Sequence, residues 1–271
     1  MTSSILIVIA VVPLFSSGSA GLTDEATLAI AEQSFAEGVA LRNDSLKAHP
    51  AFARSAIGYD ELWQRGYHDP DLALNRAHAH QLAGDLPGAI AALQEGLAAA
   101  RWNRALQIAL ENARGAVDYP LGGDLANQCR PTALPTIGSR MSPIEGWATA
   151  AFLWMLTCGG IARFAMTRAR LWLMSTGWAI VLLLLLGGLW FQDYRLQQRE
   201  SAEARVIVNQ DAPLRRGNSE SYPARLESKL PRGVEAWELS RRGGWVQVRL
   251  AGGVVGWLPE TAVLVVGLAK V

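Results

Sequence analysis

Between residues 146 and 192 the chain contains no Asp or Glu, and two apolar runs fill that stretch. The second run, 171–191, holds Ile180, Val181 and the uninterrupted leucines Leu182 to Leu186. A hydrocarbon layer about 30 Å thick takes about 20 apolar residues as a helix, so this run has the length and composition of a membrane span. Trp172, Trp178 and Trp190 stand near its ends, where indole rings favour the lipid–water interface. The first run, 147–162, is shorter; it carries Trp147 and Trp154 and ends at Arg163. With Arg163 snorkelling and residues 142–146 added at the other end, it also reaches spanning length. The alternative is a helix lying in the interface. Arg163, Arg168 and Arg170 occupy the connection, 163–170. A short arginine-bearing loop is retained in the cytoplasm, which places both flanks of a two-helix hairpin, 146–192, on the outer side. If the first run did not cross, the C-terminal flank would be cytoplasmic.

The N-terminus agrees with that orientation. Ile5 to Phe15 is an apolar run broken by Pro13 and followed by Ser16, Ser17, Gly18, Ser19 and Ala20. It is too short to span and has small residues at its end, the pattern of an export signal over 1–20 with cleavage after Ala20. The first four residues carry no Lys or Arg, which departs from that pattern; the alternative is an uncut anchor. The net charge is +1, so no basic field exists to hold nucleic acid. Cys129 and Cys158 are too few for a disulfide framework and are expected as unpaired thiols.

Residues 21–118 are rich in Ala, Leu, Glu and Arg with apolar spacing of three and four, which predicts helices over 24–43, 51–66, 70–83, 87–101 and 103–116. The breaks fall at His49-Pro50, Asp69-Pro70 and Gly84 to Pro87. Asp24 is a candidate cap for the first helix, and Asp69-Pro70 is a start signal. In 71–101 small residues at Ala77, Ala89 and Gly96 alternate with Leu82, Leu86, Ile90, Leu93 and Leu97. That lets two antiparallel helices approach closely, and it resembles a tetratricopeptide repeat, a helix pair of about 34 residues. The segment 103–114 is expected to close the array. In this register Leu74, His78, Gln81 and Leu82 face a concave, partner-binding side; the alternative is that they pack or face water. His78 and His80 do not share a helix face, and no Cys or carboxylate stands at ligand spacing, so both are expected at the surface.

Pro120, Gly122, Gly123, Pro131, Pro135, Gly138 and Pro143 mark 119–145 as a linker. From 203 to 267 the period changes to two. Strands are predicted near 206–208, 224–226, 234–239, 245–250 and 254–258, separated by Gly-bearing turns. Gly244-Trp245-Val246-Gln247-Val248 followed by Gly253 and Gly256-Trp257-Leu258 resembles the hairpin of bacterial SH3 domains. Trp237, Trp245 and Trp257 are candidate ligand-binding residues on such a barrel, and core packing is the competing role. The fold class is therefore multidomain: an all-α TPR-like helical repeat, a two-helix transmembrane hairpin and a small all-β SH3-like barrel.

The order of parts, with Asp71 to Asn75, Gly84 to Ile90 and Ala109 to Arg114, resembles the BatE-type proteins of the Bacteroides-aerotolerance group. The pattern departs at Arg76 and Ala77, where a Leu-Gly pair is usual. The resemblance implies a non-enzymatic scaffold in the inner membrane, both soluble domains periplasmic. Its implied partners are envelope proteins, von Willebrand factor A domain membrane proteins and, indirectly, a MoxR-type ATPase. No phosphate loop, nucleophile elbow or paired-Cys pattern is present, so no enzyme, cofactor or metal is expected. The alternative function is attachment to peptidoglycan through the barrel.

Overall fold

The computed structural model describes residues 21–119, 125–131, 140–202 and 204–267. The expected export signal, 1–20, lies outside the described residues, as do 120–124 and 132–139 of the expected linker.

Five helices come first: α1 (Gly21–Ala40), α2 (Ser45–Gln64), α3 (Pro70–Leu82), α4 (Leu86–Ala99) and α5 (Arg104–Gly115). Three begin on side-chain caps. Asp69 accepts from the Asp71 amide, Asp85 from Gly88 and Asn103 from Leu106, each satisfying a donor that the first helical turn leaves free. Two boundary expectations need correction. The helix does not break at His49-Pro50: α2 runs through Pro50. Only one backbone bond is lost there, and Ala48, Ala51 and Phe52 stay buried along one continuous face. Asp24 does not cap α1 either. It sits inside the first turn, where it accepts from Tyr67 Oη at 2.6 Å and from Arg65, tying α1 to the end of α2.

Successive helices pack as neighbours in chain order. Small residues set their separation. A Cβ on Gly96 would stand 2.5 Å from Ala73 Cβ and 3.2 Å from Leu106 Cδ1, so α3, α4 and α5 meet where only glycine fits. Ile90 and Leu93 fill the space beside it and are buried. Each such side chain contributes roughly 2 kcal/mol by leaving water. Leu82, expected among the filling residues, is 42% exposed instead.

Among the described residues of the Pro/Gly stretch is a short helix, α6 (Leu125–Cys129), whose Leu125 and Cys129 are buried. Two long helices follow, α7 (Pro143–Thr167) and α8 (Arg170–Ala202). Ser142 and Glu145 form a reciprocal capping box around Pro143, so α7 gains a turn before the apolar run and reaches 25 residues. Both α7 and the 170–195 part of α8 are long and apolar enough to cross a membrane. They form an antiparallel pair. Gly146 lies against the Trp190 indole, Trp147 meets Trp190 edge-on at 5.7 Å, and Gly160 lies against Thr176. Their outer surface is unpartnered: Trp147, Trp154, Met155, Leu184 and Leu185 are all more than half exposed. An apolar surface of that extent marks a face that contacts lipid or another protein.

The last region is an antiparallel sheet in the order β4-β3-β2-β1-β5. The strands are β1 (Arg205–Val208), β2 (Glu235–Arg242), β3 (Trp245–Leu250), β4 (Val255–Pro259) and β5 (Val263–Val265), with a single 3-10 turn, Glu260–Ala262, before β5. Gly243 and Gly244 both take positive φ, 59° and 76°, between the paired residues Arg242 and Trp245. That is the backbone a two-residue hairpin requires. A register shift between Glu238 and Ser240 bends β2, whose start, Glu235 to Trp237, pairs with β1, while Ala236 to Arg242 pair with β3 around the bulge. The strand expected at 224–226 does not form: within it only Ala224 bridges, to Arg215. The long connection 209–234 reaches the sheet at Arg215, which bridges Trp257 of β4, and pairs with itself through Ala212 and Leu230.

The helical region and the sheet share one core. It runs from Trp63 and Ala73 through Leu106, Leu110, Val117, Leu125 and Cys129 to Val206, Val208, Leu230 and Leu258. The segment 103–114, expected to close the helical array, forms α5, the last of the five packed helices, and α6 and the sheet continue the core beyond it. At Gly233 the sheet region packs directly against the helices. Its φ is +91°, and a Cβ would stand 3.0 Å from Val117 and 3.3 Å from Ile90 and Leu86.

Candidate functional site

Two surfaces were expected to bind, and the structure arranges them differently. On α3, Leu74, His78, Gln81 and Leu82 share a helical strip by their spacing. Leu74 is half-buried and packs against the main core. His78 is half-buried as well, and burial holds its imidazole below the usual range, in the neutral form. Gln81 and Leu82 are exposed. Three of the four thus present atoms to solvent at the C-terminal end of α3, while Leu74 supports them from below.

On the barrel the three tryptophans lie on one face. In β3 and β4 the buried residues are Val246, Val248, Leu250, Gly256 and Leu258, and the alternate ones point outward. Trp245 pairs with Pro259 and Gln247 with Trp257, on that outer side. Trp237 pairs with Arg249, whose guanidinium lies 6.0 Å from the indole centroid. All three indoles lie outside the core cluster and are half-buried on this face. The core is filled by Val and Leu of the alternate set, so the outer face carries three flat aromatic surfaces interleaved with Gln247 and Arg249. Such a face can stack on planar or ring-shaped groups and offer hydrogen bonds beside them.

A third arrangement was not expected. His80 is not at the surface: its side chain is only 14% exposed. Nδ1 lies 2.8 Å from Asp85 Oδ2, and Nε2 lies 3.2 Å from Asp60 Oδ2. With a carboxylate on each ring nitrogen the ring holds both protons. Burial alone would lower its pKa, but hydrogen bonds to Asp60 and Asp85 and their charges outweigh that and raise it to about 9. Arg76 joins the same network. It pairs with Asp60 and Glu95 and lies 5.5 Å over the Trp63 ring. Glu95 in turn accepts from the Gly267 amide at 3.0 Å, at the end of the barrel. Arg76 is thus where the chain departs from the repeat pattern and also where it builds this link.

A second link is buried at the helix–barrel contact. Glu235, 6% exposed, accepts from Arg114 Nε at 2.5 Å and Nη2 at 2.8 Å, and from Gln94 Nε2 at 2.5 Å. Arg114 reaches across from α5 and Gln94 from α4. Nothing local in the sequence announces a pair 121 residues apart.

Among the described residues, no group of three or more His, Cys, Asp or Glu side chains is arranged to hold a metal ion. Both cysteines are free. Cys129 is buried, which pushes its thiol up to about 12 and leaves it protonated, whereas Cys158 is exposed on α7. No protein-family model, no curated protein and no solved structure matches the chain.

Proposed function

We propose that the chain is a non-enzymatic, membrane-anchored scaffold whose helical repeats and barrel act as one docked unit on the outer side of the inner membrane. The observation that carries this reading is the shared core sealed by Arg114, Gln94 and Glu235. The two docked parts flank the apolar hairpin in sequence. Chain segments on either side of two spans can meet only if both spans cross, or neither does. The length of α7 and the paired packing of α7 and α8 support two crossings, and the arginines at their turn support a cytoplasmic turn.

The β-domain supports the SH3-like assignment by its strand order, its kinked β2 and the 3-10 turn before β5. The antiparallel helix pairs with glycine at the closest approach support the TPR-like one. In this reading His78, Gln81 and Leu82 contact an envelope partner. A von Willebrand factor A domain membrane protein, with a MoxR-type ATPase behind it, is the partner class implied by the BatE-type resemblance. The test is co-purification of the tagged, detergent-solubilised chain from native membranes with mild crosslinking. A partner that is captured by the wild type and lost from His78→Ala with Gln81→Ala supports the scaffold. Capture unchanged by both substitutions removes the α3 strip from the account.

A second reading is favoured by the outward tryptophan face: the barrel attaches the chain to peptidoglycan. Trp245→Ala and Trp257→Ala together would then abolish sedimentation with purified sacculi without unfolding the barrel. Unchanged sedimentation would remove this reading.

A further inference from the structure

We propose that the α7–α8 turn is a binding site for the phosphodiester headgroups of acidic phospholipids. This rests on the reading of α7 and α8 as a spanning hairpin. Three observations converge on the turn. Arg163, Arg168 and Arg170 are all exposed within it, and no acidic residue occurs anywhere from 146 to 192 to neutralise them. The Arg163 guanidinium is held in place, 5.5 Å over the Trp172 ring on the opposite helix. An indole at this depth sits in the interface, and the cation stacked on it therefore lies at the level of the lipid phosphates. Arg168 has φ +54°, the only positive φ outside glycine among the described residues. That conformation favours Gly or Asn, yet an arginine is placed there, closing α7 with its amide on Phe164 O at 2.8 Å. Its side chain leaves the end of α7 next to Arg170, which begins α8.

The geometry selects the ligand chemistry. A guanidinium offers paired donors that match two oxygens of a phosphate. Three of them spread over both helices and the turn outnumber what one zwitterionic headgroup, with its own ammonium, can satisfy. A lipid with net negative charge leaves its phosphate oxygens free for the site, and its acyl chains lie along the exposed apolar sides of α7 and α8. The occupant is therefore an acidic phospholipid of the leaflet facing the turn. Free phosphate would lack the apolar half of this contact.

The experiment uses the full chain reconstituted into vesicles of phosphatidylcholine with or without phosphatidylglycerol. Retained lipid is then read by native mass spectrometry after gentle detergent extraction. The wild type is expected to retain phosphatidylglycerol over phosphatidylcholine, and the triple variant Arg163→Gln, Arg168→Gln, Arg170→Gln to lose the preference by about tenfold or more. The triple Arg→Lys variant keeps the charge and is expected to keep a weaker preference, which separates lost binding from lost folding. No preference in the wild type, or a preference that survives in the Gln variant, overturns the site. Displacement of the lipid by millimolar inorganic phosphate overturns the lipid assignment. The exposed Cys158, midway along α7, reports on the hairpin separately. It is expected to resist an impermeant maleimide in intact vesicles. If Cys158 is labelled, the spanning hairpin fails and the proposal falls with it; if it is protected and lipid preference is absent, only the lipid site fails.

Discussion

At the residue scale two polar networks govern how firmly the helices and the sheet are joined, and each has its own signature. Glu235 accepts from both Arg114 and the Gln94 amide in a buried contact. Glu235→Ala would leave a guanidinium with little exposure and no counter-charge, which costs roughly 3 kcal/mol. Thermal unfolding of the solubilised chain should fall accordingly, and a shift of under a degree would show that the pair is replaced by water. His80 gives a pH dependence. Its folded pKa, about 9, stands above the ordinary 6.5. A group raised in the folded state contributes its full stability below the lower value and loses it as pH rises through the upper one. Unfolding temperature should therefore decline between about pH 6.5 and 9, a loss on the order of 3 kcal/mol. Asp60 and Asp85 are held below the usual carboxylate range: burial opposes the charged form, but the His80 hydrogen bonds outweigh it. Their contribution is lost at the acid end instead. In His80→Gln the alkaline decline should flatten; an unchanged decline would place its origin elsewhere.

At the element scale the fold depends on a few close approaches. Gly96→Ala would push a methyl group into Ala73 and Leu106 and should cost about 2 kcal/mol. Gly115→Ala, at the end of α5 with nothing within 4 Å, should be neutral or stabilise by about 0.5 kcal/mol. Chemical denaturation of the two variants separates packing from propensity; equal effects would contradict the packing described for α3, α4 and α5. The contrast also shows how far the sequence is legible. Helix period, the Asp69-Pro70 start, the Gly243-Gly244 turn and the long apolar runs are local signals, and the elements they specify form. The Ser142 and Glu145 capping box was equally local, and its spacing alone could have lengthened the first apolar helix. Pro50 and Asp24 misled because their usual roles were overridden by tertiary contacts: a buried α2 face in one case and Tyr67 with Arg65 in the other. Arg76 read as a departure from a repeat pattern, and its role becomes visible only with Asp60, Glu95 and Trp63 brought around it. The outward turn of Trp237, Trp245 and Trp257 follows from sheet register, which period alone leaves open by one residue.

At the scale of the whole molecule, the stretch expected as a connector delivers Leu125 and Cys129 into the core, and Gly252 N donates to Gln128 O at 2.7 Å. The sheet thereby covers an apolar face of the helical region, chiefly on α4, that would otherwise meet water. The helical region and the sheet are packed on one core, and the α7–α8 pair lies between them in sequence. The most direct test uses cysteine-free protein in right-side-out and inverted membrane vesicles, with single substitutions Leu46→Cys on α2, Gly243→Cys at the barrel hairpin and Arg168→Cys at the α7–α8 turn. An impermeant maleimide should label positions 46 and 243 from the outer side and position 168 from the inner side. Labelling of 46 and 243 from opposite sides would contradict the account, because the helices and the barrel could not then share a core.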